Sequence, residues 1–331
     1  MSQPRHSRIL GTGSALPEKV VTNADLEKIM DTTDEWITTR TGIKERRIAA
    51  DNEFLSDLAL AASRNALEMA GVKAEELDLI VLGTVTGDQP MPATACLVQQ
   101  ALGAVNAAAF DLSAGCSGFM YALTIGDQFI RGGGAQKVLV IGGEVLSKFV
   151  DWEDRSTAVI FADGCGAVVL GAANEGDRGL LSTAIHADGS GYELIQTPGG
   201  GARHPASVEA INNRLCKIKM KGSETFKIAV RSLVAVTEQC LENAGLHHSD
   251  INWYIPHQAN LRIIQAVAER LELKPEQIFI NIDKVGNTSA GSIPIALDQA
   301  NRAGLLKPGD IVLSAAFGAG LTWGSALIRW G

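Results

Sequence analysis

The chain has 331 residues, of which 46% are hydrophobic and 20% charged, and its formal net charge at pH 7 is −8. This length favours two packed halves over a single core, and the negative charge argues against non-specific nucleic-acid binding. The five cysteines form no CxxC pair and show no zinc-ligand spacing, which argues against a disulfide framework or a metal site. We therefore expect a cytoplasmic globular protein with no nucleic-acid partner and no membrane insertion.

Short apolar runs alternate with helical segments along the first half of the chain. This alternation predicts an α/β fold with mainly parallel sheets that helices cover. The segment 148–157 is expected to be a polar loop. Further strands are predicted over residues 8–16, 77–84, 138–141 and 167–170, and helices over residues 33–40, 56–70 and 95–102.

Cys116 lies between a strand predicted over residues 107–112 and a helix predicted over residues 118–130. A helix N-terminus carries partial positive charge and free N–H groups, which favour a thiolate and can bind an oxyanion. Gly115 and Gly118 permit the close approach of other backbone or of a substrate. The arrangement is that of a nucleophile elbow, but most free cysteines are small core residues, so both interpretations stay open from this stretch alone.

The second half of the chain repeats the first at a constant spacing of 174 residues. Three segments that share one spacing indicate a duplicated α/β unit, with halves over residues 1–174 and 175–331. The related segments are 66–72 with 240–246, 77–82 with 251–256, and 138–141 with 312–315.

Polar residues follow the strands predicted in the second half. The strand over 252–256 ends at His257, and the strand over 278–282 leads to a turn in which Asn287 falls nearly at the position of Cys116. The carboxyl ends of neighbouring parallel strands meet at one edge of a sheet. Each residue alone is more often structural, but together with Cys116 they predict a shared pocket.

A thiol, a neutral imidazole and an amide are suited to acyl transfer between thioesters. Cys116 would hold the acyl group, while His257 and Asn287 would donate to a thioester oxygen during decarboxylation of a malonyl unit. Backbone N–H groups of Cys116 and of the loop 317–320 would form the oxyanion hole. A papain-like hydrolase uses the same residue types, but it must admit water, whereas the apolar strand ends favour a dry condensation site.

Five motifs in this order resemble β-ketoacyl-[acyl-carrier-protein] synthase III, a family of condensing enzymes in the thiolase superfamily. The resemblance implies a homodimer with a five-layer αβαβα thiolase-like fold and no cofactor. It also implies condensation of an acyl-CoA primer, acetyl-CoA foremost, with malonyl-acyl-carrier protein to initiate fatty acid biosynthesis. The motifs occupy residues 34–43, 114–118, 256–262, 286–291 and 317–324.

The resemblance also assigns roles to individual residues. Cys116 becomes the acylated nucleophile, and His257 and Asn287 become the decarboxylation pair. Lys227 and Arg262 resemble the basic docking patch for an acidic carrier protein. The expected CoA-binding residues are Thr32, Trp36, Arg40, Arg155, Gly222 and Asn260, with Trp36 and Arg155 on the two faces of the adenine.

Two departures from the family pattern bear on substrates. Glu269 lies beside Arg270, where relatives often have two basic residues, so weaker carrier docking is expected. Met91 replaces a common phenylalanine in the loop expected to reach the partner's acyl pocket, and a flexible Met accepts a longer or branched primer. A related acyltransferase of secondary metabolism and a non-catalytic acyl-CoA-binding protein are the alternatives.

Overall fold

The computed structural model describes residues 6–173 and 179–331 of the chain. The strands are β1 (His6–Ala15), β2 (Val20–Thr22), β3 (Glu45–Arg47), β4 (Leu79–Gly83), β5 (Ala108–Leu112), β6 (Lys137–Val145), β7 (Asp163–Ala173), β8 (Gly179–Ala187), β9 (Ile195–Gln196), β10 (Lys219–Met220), β11 (Trp253–Tyr254), β12 (Ile311–Gly318) and β13 (Thr322–Arg329). The helices are α1 (Asn23–Leu26), α2 (Asp34–Thr41), α3 (Leu55–Ala70), α4 (Thr94–Leu102), α5 (Gly118–Arg131), α6 (Arg155–Ala158), α7 (Val208–Asn212), α8 (Gly222–Ala244), α9 (Leu261–Arg270), α10 (Ile282–Val285) and α11 (Ser292–Arg302).

Two larger sheets have the strand orders β1-β7-β6-β4-β5 and β11-β12-β13-β8. The pairs β4–β5, β4–β6 and β11–β12 are parallel, whereas β7 runs antiparallel to β1 and β6, and β13 runs antiparallel to β12 and β8. The α/β class is confirmed, but the expectation of mainly parallel sheets is wrong. A connection as short as that between β12 and β13 permits only antiparallel pairing.

Helices cover both faces of each sheet and give the five layers that were predicted. Helices α3 and α4 pack on the outer face of the first sheet. Helices α5 and α11 lie between the two sheets, in one apolar core that also contains Val140 and Val312. Helices α8 and α9 cover the outer face of the second sheet. The order of layers is therefore αβαβα.

The spacing of 174 residues recurs in the three-dimensional structure. Helices α3 and α8 end at Ala70 and Ala244, and the glycine that follows each has a φ of +63° or +64°. Two short 3-10 turns, Gly115–Ser117 and Ser289–Gly291, precede the central helices α5 and α11 at the same spacing. The proposed boundary between residues 174 and 175 lies outside the described residues.

The prediction of a strand over residues 278–282 is wrong. Only one isolated bridge, between Ile278 and Tyr254, continues the second sheet. The buried side chain of Gln258 takes over the hydrogen bonds that a strand ladder would make, because it donates to Phe279 O and accepts from Asn281 N. Satisfied in this way, the backbone needs no neighbouring strand.

Two segments that were expected to be loops contain regular structure. The segment 148–157 leads into the short helix α6, whose first N–H groups are capped by the side chain of Asp154. The glycine-rich segment 317–324 is the tight hairpin between β12 and β13. Both segments border the cavity in which the candidate site lies.

Candidate active site

Cys116 occupies the 3-10 turn that joins β5 to α5. The turn packs backbone against backbone on the β12–β13 hairpin, since a Cβ atom added to Gly318 would lie 2.4 Å from Cys116 N. Gly115 has a φ of +53°, and its added Cβ would lie 2.7 Å from Ala319 N. Only glycine suits these two positions, and the pair of glycines holds the thiol against the end of β12.

Burial raises the pKa of the Cys116 thiol to about 11, although a hydrogen bond with Ser289 acts in the opposite direction. The nearby carboxyl group of Glu144 raises this pKa further. This shift opposes the stabilisation of a thiolate that the helix N-terminus was expected to give. Desolvation disfavours the charged form of the thiol, so deprotonation has to accompany the attack on a substrate.

His257 follows β11 and is 6% exposed. Its backbone N donates to Ala315 O at 2.9 Å, which holds it beside β12. Among the described residues, neither ring nitrogen has a hydrogen-bond partner. Burial lowers the pKa of this imidazole to about 4, so the ring is neutral at pH 7, as predicted. A buried, unpaired imidazole has a free donor for a substrate.

Asn287 is held on both its backbone and its side chain. Its backbone N donates to Ile160 O, and its backbone O accepts from Ala162 N. The side-chain Oδ1 accepts from Ser289 N at 2.9 Å. Because the amide oxygen is engaged, Nδ2 is the atom left to donate to a ligand.

One cavity of about 1230 Å³ brings these three residues together. It confirms the expectation that the strand ends of both halves share a pocket. Thr32, Arg155 and Met91 do not line it. The other predicted site residues that do are Trp36, Arg40, Gly222, Lys227, Asn260 and Arg262.

Trp36 lines the cavity and has two arginines against its indole. The guanidinium carbons of Arg40 and Arg155 lie 4.5 Å and 4.9 Å from the ring centroid. Arg155 also donates to Asp31 O at 2.6 Å. Arg155 therefore stacks directly on the tryptophan, and a base can enter between them only after this side chain moves. The nearby Thr32 hydroxyl is buried without a partner in the described part of the chain.

The two predicted docking cations lie near Phe226. Arg262 places its guanidinium carbon 5.8 Å from the centroid of that ring, and its backbone N–H donates to the capping Oδ1 of Asn260 at 2.9 Å. Lys227 is exposed, as are Arg262 and Glu269. Met91 is 82% exposed, in the loop that follows the cavity-lining residue Pro90.

Ser289 and Glu144 also belong to the site, and the sequence analysis assigned neither a role. Ser289 lines the cavity together with Cys116. Glu144, fully buried at the end of β6, accepts from the Ser289 hydroxyl at 3.4 Å. The spacing of 174 residues contained the signal, because it pairs Ser289 with Gly115 in the Cys116 turn.

Across residues 6–173 and 179–331, no helix combines the length and apolarity that crossing a membrane requires. The same residues contain no cluster of His, Cys, Asp and Glu that could hold a metal ion.

The five layers and a cavity that unites a thiol, a neutral imidazole and an amide define the class of thiolase-fold condensing enzymes. Two family models match the chain: 3-oxoacyl-[acyl-carrier-protein] synthase III over residues 110–189, and the C-terminal part of that enzyme over residues 241–330. A β-ketoacyl-[acyl-carrier-protein] synthase III from Caldanaerobacter subterraneus subsp. tengcongensis is 56% identical over 97% of both chains. The chain belongs to the β-ketoacyl-[acyl-carrier-protein] synthase III family, and it is a condensing acyltransferase.

Solved structures agree with this assignment. The 3-oxoacyl-[acyl-carrier-protein] synthase III of Aquifex aeolicus VF5 is 52% identical and superposes with a TM-score of 0.91 over 98% of this chain and 100% of that one. The priming β-ketosynthase of the R1128 polyketide biosynthetic pathway is 36% identical, with a TM-score of 0.92 over 100% of this chain and 98% of that one.

Proposed function

We propose that this chain condenses an acyl-CoA primer, acetyl-CoA foremost, with malonyl-acyl-carrier protein and so starts fatty acid synthesis. The observation that carries the proposal is that one cavity holds the Cys116 thiol, the unpaired imidazole of His257 and the free amide nitrogen of Asn287. Family membership supports the same activity. The chemistry needs no cofactor, since both substrates enter as activated thioesters.

The first half-reaction loads the acyl group onto Cys116. The thiol attacks the thioester carbonyl, the bond between carbonyl carbon and CoA sulfur breaks, and the thiol proton leaves with CoA. Backbone N–H groups of Cys116 and of the hairpin that contains Gly318 would hold the tetrahedral oxyanion. Their backbones are packed together, which favours a preorganised hole. The product is an acyl-cysteine, and an exchange of one thioester for another has little driving force in either direction.

The second half-reaction makes the carbon–carbon bond. His257 and Asn287 Nδ2 would donate to the thioester oxygen of malonyl-acyl-carrier protein as carbon dioxide leaves and an enolate forms. The enolate carbon then attacks the acyl group, and the Cys116 sulfur departs and takes up a proton. A neutral imidazole suits this role, because it donates one hydrogen bond without carrying a charge.

Substrates would enter past Trp36, with the adenine between Trp36 and a displaced Arg155. Thr32, Arg40, Gly222 and Asn260 would bind the rest of CoA. An exposed arginine–indole contact is weak, about 0.5–1 kcal/mol, so a bound base can readily replace it. Lys227 and Arg262 would dock the acidic carrier protein at the same entrance.

We infer a homodimer from the free edge of the first sheet. β5 is the edge strand, and its residues are half-buried or exposed. An edge strand has unpaired backbone N–H and C=O groups, which can form hydrogen bonds with the same strand of a second copy. Pairing here would bring Met91, near the same end of the sheet, to the partner's acyl pocket. A cytoplasmic location fits substrates that are soluble thioesters.

Mass spectrometry of the intact protein tests the proposal. Incubation with acetyl-CoA should add one acetyl group, and malonyl-acyl-carrier protein should then release carbon dioxide and a β-ketoacyl product. The adduct should form in Cys96→Ser, which changes another half-buried cysteine, and should be absent in Cys116→Ser. An adduct that persists on Cys116→Ser would contradict the assignment of the nucleophile.

A related acyltransferase of secondary metabolism is the second candidate. The likeness to the priming ketosynthase of a polyketide pathway favours it, since that protein matches this chain over nearly all of both lengths. Turnover with a small-molecule acceptor but none with malonyl-acyl-carrier protein would select it. Competition among acyl-CoAs of several lengths, with wild type and Met91→Phe, would define the primer.

A further inference from the structure

Arg46, on β3, is a fully buried arginine that the condensation described above does not use. Within residues 6–173 and 179–331, no carboxylate forms an ion pair with its guanidinium. Burial lowers the pKa of this group to about 10, so the group is charged at pH 7. A buried charge without a counter-ion is costly unless hydrogen bonds replace its hydration. The acceptors of these bonds therefore show what Arg46 holds in place.

Three oxygen atoms from separate segments accept hydrogen bonds from the Arg46 guanidinium. Nη1 donates to Val21 O, in β2, at 3.1 Å. Nη2 donates to Asn23 Oδ1, in α1, at 2.9 Å and to Val159 O, directly after α6, at 3.0 Å. The planar guanidinium presents its donors in a fixed fork, which a lysine ammonium does not reproduce. Arg46 thus joins two N-terminal segments to the segment that follows α6.

Val159 lies beside the peptide group that holds Asn287. The next carbonyl, Ile160 O, accepts from Asn287 N at 3.0 Å. Phe161 and Asn287 then form an isolated β-bridge. Because Arg46 fixes the carbonyl directly before these contacts, its guanidinium restrains the segment to which the backbone of Asn287 is bonded.

The aliphatic part of Arg46 meets the Asn287 turn from a second side. Gly286, directly before Asn287, has a φ of +68°, and a Cβ added to it would lie 3.0 Å from Arg46 Cβ. The backbone N of Lys44 donates to Asp283 O at 3.1 Å, which ties the start of β3 to α10, the helix before this turn. The backbone of Asn287 is therefore packed against β3 as well as bonded to the segment that follows α6.

The bond from Arg46 to Asn23 leads to a different part of the site. Asn23 Nδ2 donates to Asp34 Oδ1 at 2.7 Å, and Asp34 is the first residue of α2, the helix that carries Trp36. A change at Arg46 can therefore alter the binding of CoA as well as the position of Asn287. Acyl loading has to be measured at saturating acetyl-CoA to separate the two effects.

We propose that Arg46 is a positioning residue for the decarboxylation step, because it fixes the two backbone segments between which Asn287 is held. The inference rests on the amide of Asn287 being a donor in the proposed function. Arg46 does not line the cavity, so it acts through Asn287 and not on the substrate itself. A donor displaced by about 1 Å can lower a rate by about 10²-fold, so a restraint of this kind matters for catalysis.

The first test is hydrogen–deuterium exchange of the full chain without substrates, followed in the peptides that contain Asn287 and residues 159–162. Arg46→Met keeps a long side chain without donors, and exchange in both peptides should become about tenfold faster. Arg46→Lys keeps the charge but not the fork of donors, so its exchange should lie between wild type and Arg46→Met. Arg47→Met is the matched control, because the neighbouring Arg47 donates to Pro17 O, at 3.4 Å, and its loss should not change exchange in these peptides.

The second test compares the two half-reactions in the same variants. At saturating acetyl-CoA, Arg46→Met should load Cys116 within about threefold of the wild-type rate, while release of carbon dioxide from malonyl-acyl-carrier protein should fall by roughly 10²-fold. In an Asn287→Ala background, Arg46→Met should lower that release by less than about threefold, since the amide that it positions is gone. Urea unfolding checks that each variant is folded. If Arg46→Met does not fold, Arg46→Lys decides, with an expected loss of about tenfold in decarboxylation alone.

Equal losses of loading and decarboxylation would overturn the inference, because they indicate a general structural role. So would an undiminished further loss in the Asn287→Ala background, or unchanged exchange near Asn287. Exchange needs no substrate, so a wild type that releases no carbon dioxide would count against the proposed function alone.

Discussion

The turn Gly115–Ser117 and the turn Ser289–Gly291 have the same backbone at related positions but carry different parts of the site. Both are 3-10 turns that lead into a central helix, and both begin with a residue of left-handed φ. The first presents a nucleophile at its middle residue. The second has Ala290 there, and Asn287, two residues before the turn, lines the cavity.

The strands beside these turns differ in a complementary way. β4 ends in Gly83, whose added Cβ would lie 2.5 Å from Gly118 C, whereas the related residue after β11 is His257. β12 ends in Gly318 against the Cys116 turn, whereas the related residue on β6 is Glu144 beside Ser289. Around Cys116 neighbouring backbone segments pack closely, and this packing requires glycine. At the related positions in the other half, side chains occupy the same place instead.

Substitutions that remove the nucleophile or the decarboxylation pair should have the largest effects on activity, and they should affect different steps. Cys116→Ala should lower condensation by at least about 10³-fold and abolish the acyl adduct, because no nucleophile is left. It should retain slow decarboxylation of malonyl-acyl-carrier protein, since His257 and Asn287 remain. His257→Ala and Asn287→Ala should do the reverse: loading persists, while condensation falls about 10²–10³-fold for each lost donor. Intact mass and carbon dioxide release measure the two steps.

If His257→Ala loses both acyl loading and decarboxylation, then His257 also takes part in the loading of Cys116, which would contradict the separation of roles. Circular dichroism of each variant provides the control for folding.

Gly318→Ala tests the close approach of backbone at the nucleophile. The added Cβ would lie 2.4 Å from Cys116 N, so the turn must shift. We expect a loss of about 1–3 kcal/mol in the free energy of unfolding and a roughly 10²-fold slower acetyl loading. Gly189→Ala, where an added Cβ meets nothing within 4 Å, is the control and should change neither. Equal effects of the two substitutions would remove the packing argument.

The pH dependence of stability should separate His257 from Glu144. Burial lowers the pKa of His257 from 6.5 to about 4, so the unfolded chain takes up this proton first, and stability is lost as pH falls from 6.5 to 4. Burial raises the pKa of Glu144 from 4.5 to about 7, so its contribution is lost as pH rises from 4.5 to 7. Each amounts to roughly 3 kcal/mol, and in wild type they oppose each other.

Relative to wild type, His257→Asn should become less stable as pH rises from 5 to 7, and Glu144→Gln should become less stable as pH falls over that range. Urea unfolding at pH 5 and pH 7 measures both slopes. Parallel slopes for the two variants would contradict the assigned directions.

Much of the fold was predictable because it depends on local patterns and on the repeat. Apolar runs marked β4 and β6, and a closing glycine marked the end of α3, since strands and helices follow periodicity and capping. The prediction of a strand over residues 278–282 failed because of a tertiary contact: the side chain of Gln258, some twenty residues earlier, forms the backbone hydrogen bonds of that segment. The antiparallel pairs were missed because an apolar strand looks the same in either orientation.

The amino-acid sequence was sufficient for the duplication, for the positions of Cys116, His257 and Asn287, and for the family, because residue order and spacing carry all of these. Tertiary structure alone decided the state of the thiol. Burial and the carboxyl group of Glu144 raise its pKa, and neither burial nor a contact between residues 144 and 116 is written in local sequence. The same holds for Ser289, whose left-handed backbone, like that of Gly115, is set by the turn that it begins. Electrostatics and strain arise from atoms that folding brings together, so they follow the fold rather than the motif.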